Sequence, residues 1–261
     1  KLIFVEARML HWPDTMFTYM TGDNILFSND AFGQHYASEH MYNDLVDQAE
    51  LYQEAIKYYA NILTPFSPLV SKKIEEVLSF NLPVDLIATS HGILWRDNPA
   101  QIIEKYLEWA DDYQENQITI VYDTMWNGTR RMAEAIAKGI KSADKDVTVK
   151  LFNASTSDKN DILTEVFKSK ALLFGSFTIN RGISYSISGI LEMVKGLSLK
   201  KKKAAAFGTY GWSGECVSII NKILNESKIE VVSDGYRALW NPDKDAVAKC
   251  IEFGADFVSK L

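Results

Sequence analysis

The stretch YDTMWNGTRRMAEAI, residues 122–136, indicates the fold of the second half of this chain. It follows the apolar run ITIV at 118–121, which is typical of a buried strand. Beyond the loop, Met132, Ala133 and Ile136 recur at the spacing of a helix face that packs inward. This order predicts an anion site, because the first N–H groups of a helix lack partners and the helix dipole favours negative charge.

Composition narrows the class of protein. The chain has 261 residues, of which 47% are hydrophobic and 24% charged, as in a soluble globular protein of one or two domains. Its net charge of −6 argues against a nucleic-acid partner, which would require a basic surface. No apolar run reaches the roughly 18 residues of a membrane span, and no signal peptide is visible, so we expect a cytoplasmic protein without a membrane partner. Cys216 and Cys250 lie far apart and predict reduced thiols.

Strands and helices alternate regularly after the polar stretch YQEN at 113–116, which predicts a doubly wound parallel sheet. The predicted strands are 118–122, 147–152, 171–175, 204–208 and 229–232. The predicted helices are 129–142, 159–168, 184–195, 214–226 and 243–259. Ligands bind at the carboxyl ends of the strands in such sheets, so the loops that follow the first, third and fourth strands form the predicted binding site.

The first half has a different pattern. Short strands are predicted at 3–6, 16–20, 25–27 and 86–88, with helices at 47–63, 70–79 and 99–112. The opening KLIFVEA is already strand-like and has no initiating Met, so we expect this chain to be the C-terminal part of a longer protein.

Three loops supply the candidate cofactor-binding residues. They are Thr124, Met125, Trp126, Asn127, Gly128 and Thr129 in the first loop, Ser176, Thr178, Ile179, Asn180, Arg181 and Gly182 in the second, and Thr209, Tyr210, Gly211, Trp212, Ser213 and Gly214 in the third. A hydroxyl-rich loop also arises from helix capping alone, and tryptophans also occur in ordinary packing. Aromatic and polar residues at three strand ends nevertheless favour a flavin, whose ring needs stacking and edge hydrogen bonds.

Three residues at strand ends form a candidate metal site. His11, Asp30 and His91 each follow a predicted strand, and imidazole and carboxylate groups suit iron or zinc. Each histidine could instead be a hydrogen-bonded core residue. Tyr58 and Tyr59 are either outer hydrogen-bond donors to this site or helix-packing residues.

These motifs resemble a known family. Residues 117–261 are similar to a flavodoxin-type FMN domain, with the TMW loop variant of flavodiiron proteins. HWPD, FSNDAFGQH, YYANILTPFS, ATSHG and WRDNP resemble the metallo-β-lactamase-like domain of the same proteins, most closely the flavorubredoxin type. The resemblance implies an α/β protein, with the C-terminal part of a metallo-β-lactamase-like αβ/βα diiron domain at 1–114 and a flavodoxin-like FMN domain at 115–261.

The resemblance also implies an activity. FMN would pass electrons to two non-haem iron ions, which reduce nitric oxide to nitrous oxide, dioxygen to water, or both. His11, Asp30 and His91 would be iron ligands, with Asp30 bridging the two ions. The implied partners are a redox donor such as a rubredoxin or its reductase, and a second copy in a head-to-tail homodimer or a dimer of dimers.

Two departures from the family pattern leave an alternative open. The HxExDH motif that carries the remaining iron ligands does not occur in residues 1–261, and no Cys-x-x-Cys pair follows residue 200, as a rubredoxin tail would require. The alternative is an FMN electron carrier with a non-catalytic lactamase-like remnant. A hydrolase ranks third, because a fused FMN domain has no evident role in hydrolysis.

Overall fold

The computed structural model describes residues 1–261, and the chain divides into two compact units, Lys1–Tyr113 and Gln114–Leu261. Each unit has its own sheet, with four strands in the first and six in the second. No helix is both long enough and apolar enough to cross a membrane. Both cysteines are buried free thiols, as the sequence predicts.

The first unit contains one mixed sheet and three α-helices. In chain order its elements are β1 (Leu2–Glu6), β2 (Met16–Met20), β3 (Ile25–Asn29), α1 (Gln48–Tyr58), α2 (Ser67–Ser79), β4 (Leu86–Thr89) and α3 (Ala100–Ala110). The strands lie in the order β1-β2-β3-β4, antiparallel except for β3 and β4. The parallel pair requires a long crossover, which α1 and α2 provide.

The two faces of this sheet differ. Phe17, Tyr19 and Leu26 are buried on one face. On the other face Phe4, Thr18 and Phe27 form one cross-strand row, and both phenylalanines are exposed. An exposed apolar face of this kind is typical of a surface that packs against further protein.

The predicted helix at 47–63 is interrupted. Its α-helical part ends at Tyr58, and the chain continues as a π-helical turn at Tyr59–Leu63 and a 3-10 turn at Thr64–Phe66. Pro65 has no N–H group to continue the hydrogen bonds of an α-helix. The side chains of Asn61 and Thr64 also donate to backbone carbonyl groups of the preceding turn.

The second unit is the predicted doubly wound sheet. Its strands are β5 (Glu115–Tyr122), β6 (Thr148–Asn153), β7 (Ser169–Phe177), β8 (Lys203–Tyr210), β9 (Glu230–Val231) and β10 (Tyr236–Leu239). Its helices are α4 (Gly128–Ala143), α5 (Lys159–Lys168), α6 (Tyr185–Leu197), α7 (Cys216–Glu226) and α8 (Lys244–Val258). All pairs are parallel, in the order β10-β8-β7-β5-β6, with β9 beside β8.

Helix α4, which follows β5 and the first predicted loop, is held by close packing. Met132, Ala133, Ala135 and Ile136 are buried against the sheet, as predicted. On its other side α4 lies so close to α8 that a Cβ atom on Gly139 would lie 2.0 Å from the carbonyl oxygen of Ile251. Such close packing fixes the position of the helix N-terminus.

The last strand of the sheet differs from the prediction. The apolar run 229–232 forms only the two-residue β9, and the strand beside β8 at the edge of the sheet is β10, which is not among the predicted strands. The sequence of β10, YRAL, has two exposed residues and no apolar run, so its pairing with β8 depends on tertiary structure rather than on local pattern.

Candidate functional site

The carboxyl ends of the parallel strands surround a cavity of about 1050 Å³ in the second unit. All three predicted loops contribute to its lining. The predicted residues that line it are Thr124, Met125, Trp126, Gly128, Thr178, Ile179, Asn180, Arg181, Thr209, Tyr210, Gly211, Trp212 and Ser213.

The remaining five predicted residues support the loops from outside the cavity lining. Ser176 is buried and accepts a hydrogen bond from the N–H of Ser184. Gly182 pairs with Ile179 across the second loop, and Gly214 has a φ of +75° in the third. Asn127 and Thr129 belong to the start of α4.

The first loop has the features of a phosphate site. Asn127 has a left-handed φ of 61°, and no side chain caps the first turn of α4. The hydroxyl oxygen of Thr124 is buried and has no hydrogen-bond partner. A buried hydroxyl without a partner is unfavourable, and a phosphate oxygen beside the helix N-terminus would satisfy it. The residues present therefore suit the phosphate group of FMN.

The side chains of Thr129, Arg130 and Arg131 all contact other protein groups. The Thr129 hydroxyl is fully buried and lies 2.9 Å from the hydroxyl of Thr209. Arg130 donates to Glu134, and Arg131 donates to Asn241. Because these three side chains already have protein partners, Thr124 is the stronger candidate for a direct phosphate donor.

A buried carboxylate lies behind the phosphate loop. Asp123 is 4% exposed and accepts hydrogen bonds from Ser155 Oγ at 2.6 Å, Ser186 Oγ at 2.5 Å and the N–H of Thr124 at 2.8 Å. Burial alone would raise the pKa of Asp123, but the serine hydroxyl groups and the Thr124 N–H outweigh it and hold that pKa below the ordinary value. The carboxylate thus joins the loop to β6 and α6.

Asp123→Asn is expected to destabilise the protein by about 1–3 kcal/mol at neutral pH, because a charged acceptor of three bonds becomes a neutral amide. A lowered folded-state pKa means that the carboxylate stabilises fully above the unfolded value near 3.8. The contribution disappears as pH falls through the lower folded value. Urea unfolding of both proteins between pH 7 and pH 3 checks this, and a difference that grows on acidification would contradict it.

Aromatic side chains dominate the mouth of the cavity. Trp126 and Trp212 are 81% and 86% exposed, so neither is ordinary core packing. Trp212 lies beside Trp240, with ring centroids 5.7 Å apart. Phe177, Trp240 and Asn241 also line the cavity, and none of the three is among the predicted residues. Recognising β10 as the neighbour of β8 would have identified the last two.

In the first unit, the structure brings His11, Asp30 and His91 together. Asp30 Oδ2 lies 3.5 Å from Nε2 of His11, and Asp30 Oδ1 lies 3.7 Å from Nε2 of His91. Two ligands at about 2.1 Å from one ion lie roughly 3.0–3.5 Å apart. The 3.5 Å separation lies at the upper end of this range and the 3.7 Å separation just beyond it, and each imidazole faces its own carboxylate oxygen.

Neighbouring groups orient this trio. His91 Nδ1 donates to the carbonyl oxygen of Gln34 at 3.2 Å, so Nε2 is the ring nitrogen that could bind a metal ion. Ser90 Oγ donates to Asp30 Oδ1 at 2.5 Å. Gly33 is required because a Cβ atom there would lie 2.9 Å from the ring of His91.

The turn that carries Asp30 is fixed by two buried aromatic residues. Phe32 has a φ of +68°, which is rare for a bulky side chain. Its N–H donates to Tyr106 Oη, and its carbonyl oxygen accepts from Trp95 Nε1, both at 2.9 Å. The two bonds satisfy the buried backbone of a strained residue, which is typical of a functional site.

Tyr58 and Tyr59 have different roles. Tyr58 Oη lies 3.3 Å from Nε2 of His91, next to the trio. Tyr59 is fully buried, and its hydroxyl lies 2.9 Å from Ser67 Oγ. Tyr59 is therefore a packing residue, whereas Tyr58 borders the site.

The trio is not a complete metal centre. No group of three or more His, Cys, Asp or Glu side chains in the chain is arranged to hold a metal ion by itself. The donor chemistry suits iron, but two ions would need further ligands.

Comparison with known sequences agrees with the fold. The flavodoxin family matches residues 120–254. The chain is 60% identical to the anaerobic nitric oxide reductase flavorubredoxin of Aliivibrio fischeri, covering all of this chain and 52% of that protein. It is 58% identical to the flavorubredoxin of Klebsiella pneumoniae, covering 98% of this chain and 53% of that protein. The chain thus spans about half the length of the curated relatives it matches.

Solved structures of similar proteins have the same fold. The rubredoxin oxygen:oxidoreductase of Desulfovibrio gigas superposes with a TM-score of 0.93 at 30% identity, over 99% of this chain and 66% of that one. The flavodiiron protein of Giardia intestinalis gives a TM-score of 0.93 at 32% identity, over 99% and 64%. Over its whole length the chain is similar to flavodiiron proteins, and through residues 120–254 it belongs to the flavodoxin family.

Proposed function

We propose that the protein to which this chain belongs is a flavodiiron oxidoreductase that reduces nitric oxide to nitrous oxide, dioxygen to water, or both. The observation that carries the proposal is the coexistence of two sites in one chain. One is a cavity with a buried hydroxyl for the FMN phosphate, and the other is a carboxylate between two imidazole groups. The names of the relatives support the same activity.

The residues of this chain have distinct parts in the proposed reaction. Thr124 and the first turn of α4 would hold the phosphate, and Trp126 and Trp212, which both line the cavity, would contact the ring. His11, Asp30 and His91 supply iron ligands, and the remaining ligands come from outside this set. Bound FMN supplies stored electrons, and the iron ions supply a site at which a small gas is reduced.

The proposed partners follow from the same chemistry. A redox donor such as a rubredoxin or its reductase delivers electrons to the flavin. A second copy, arranged head to tail, brings the flavin of one chain to the iron site of the other, as a homodimer or a dimer of dimers. The exposed tryptophans at the cavity mouth support a covered surface there, since aromatic residues are enriched at interfaces.

One observation favours the alternative function of an FMN electron carrier, namely the incomplete metal site in these residues. Anaerobic mixing of the fully reduced complete protein with nitric oxide separates the two. Rapid flavin reoxidation with release of nitrous oxide, lost after iron is removed by chelation, supports the reductase. Flavin that stays reduced with nitric oxide, yet reduces an added redox protein, supports the carrier.

A further inference from the structure

Part of the cavity wall comes from the residues that follow β10. None of the three predicted loops includes them. Trp240 directly follows this strand and lines the cavity with Asn241. The N–H of Trp240 donates to the carbonyl oxygen of Tyr210 at 2.8 Å, so the backbone extends the pairing of β10 with β8 by one residue. The segment is therefore fixed beside the third loop.

Trp240 has a backbone conformation that its side chain disfavours. Its φ is +53°, in the left-handed region where bulky residues are rare, and its side chain is 61% exposed. Neither local propensity nor burial explains a tryptophan here. A residue that breaks the local rule without a gain in packing is expected where function determines the side chain.

The Trp240 ring supports the third loop. It lies 5.7 Å from the ring of Trp212, tilted by 58°. A Cβ atom on Gly211 would lie 3.1 Å from Trp240 Cζ3, so the loop passes directly over this ring. Without Trp240, the 86% exposed Trp212 loses this aromatic neighbour.

Arg237, on the same strand, holds the other end of the loop. Its Nη1 donates to the carbonyl oxygen of Gly214 at 2.9 Å, and its guanidinium lies over the ring of Tyr210 at 5.4 Å. Gly214 has a φ of +75°, and a Cβ atom there would lie 3.1 Å from Arg237 Nη1. The loop is therefore held at both ends by residues of β10 and its extension.

We propose that Trp240 is a flavin-ring binding residue and that Arg237 is a positioning residue, which together keep Trp212 in place as a wall of the ring site. The inference rests on the proposed FMN site. If it is correct, residues of β10 and its extension contribute to flavin affinity through the ring of the flavin and not through its phosphate. Riboflavin, which has the ring but no phosphate, separates the two.

The test measures the dissociation constants of FMN and riboflavin for the flavin-free chain. Trp240→Asn retains a residue that tolerates positive φ, so the flavin-free protein should unfold at an unchanged or higher temperature. We expect both flavins to bind about tenfold more weakly, as loss of an aromatic contact predicts, with the ratio of the two constants unchanged. Trp240→Phe should recover most of the affinity.

Arg237→Gln should weaken both flavins several-fold and increase the fluorescence of the bound flavin, since a displaced Trp212 quenches it less. Arg237→Lys, which retains the charge but not the planar stacking group, should recover only part of this. Leu239→Ala, on the same strand but away from the cavity lining, is the matched control and should match the unaltered chain.

Unchanged affinity for both flavins in Trp240→Asn would overturn the inference, and so would a loss confined to FMN. If the unaltered chain binds neither flavin, the proposed function itself fails. Loss of the folded state in Trp240→Asn, with normal binding by Trp240→Phe and Arg237→Gln, would show that the segment is only structural and would also overturn it.

Discussion

Replacing Asp30 with Ala is expected to lower the affinity of the complete protein for ferrous iron by more than 100-fold, with FMN binding unchanged. The Asp30 carboxylate lies between the Nε2 atoms of His11 and His91, at 3.5 and 3.7 Å. Without it, two imidazole groups remain and the site loses its only carboxylate among the three candidate ligands. Loss of an outer hydrogen-bond partner alone costs about 10–100-fold, so loss of the bridging ligand should cost more.

Two further variants should show smaller losses of iron affinity. Ser90→Ala removes the hydroxyl that donates to Asp30 Oδ1 and should cost roughly tenfold. Asp14→Ala removes an exposed carboxylate three residues from His11 and should cost nothing. Anaerobic competition with a coloured chelator gives the affinities. Equal iron binding by Asp30→Ala and Asp14→Ala would remove Asp30 from the ligand set.

Thr124→Val is expected to have opposite effects on flavin affinity and on stability. The Thr124 hydroxyl is buried without a partner, so its removal should leave the flavin-free protein equally stable or more stable by about 1 kcal/mol. FMN should nevertheless bind roughly 10–100-fold more weakly, because the phosphate loses a charge-assisted hydrogen bond. Riboflavin should bind as before.

The control for Thr124→Val is Thr156→Val, which removes an exposed hydroxyl from a loop outside the cavity lining. Isothermal titration and thermal unfolding of the flavin-free proteins give both quantities. A variant that is destabilised and retains full FMN affinity would show that Thr124 is a structural residue.

Local sequence patterns predicted most of the strands and helices of the second unit. The apolar run at 118–121 and the helical spacing after residue 128 predicted β5 and α4, because a buried parallel strand and an amphipathic helix have distinct periods. The predicted helix at 159–168 coincides with Lys159–Lys168, where Asp158 caps the first turn. Elements with strong periodicity and clear caps are the ones that local reasoning finds.

The missed parts of the site depend on long-range contacts. Trp240 and Asn241 reach the cavity only because β10 pairs with β8, and the four residues of β10 carry no strand pattern. The preference for Thr124 over Thr129 depends on the pairing of Thr129 with Thr209, a residue 80 positions away. Neither relation can be read from spacing along the chain.

The grouping of His11, Asp30 and His91 also depends on long-range contacts. His11, Asp30 and His91 follow β1, β3 and β4, and the ends of β3 and β4 lie side by side only after the crossover between these two strands forms. Resemblance to a family, not spacing, identified them together. The structure adds the orientation of His91 by Gln34 and the anchoring of Phe32 by Tyr106 and Trp95, which no motif predicts.

The ratio of iron to FMN in the natively purified complete protein tests whether one protein holds both a flavin and a dinuclear iron site. Elemental analysis against flavin absorbance gives this ratio. We expect about two iron ions per FMN, as in a two-metal site. Protein that binds FMN with almost no iron would exclude the dinuclear site and would make this chain part of an electron carrier.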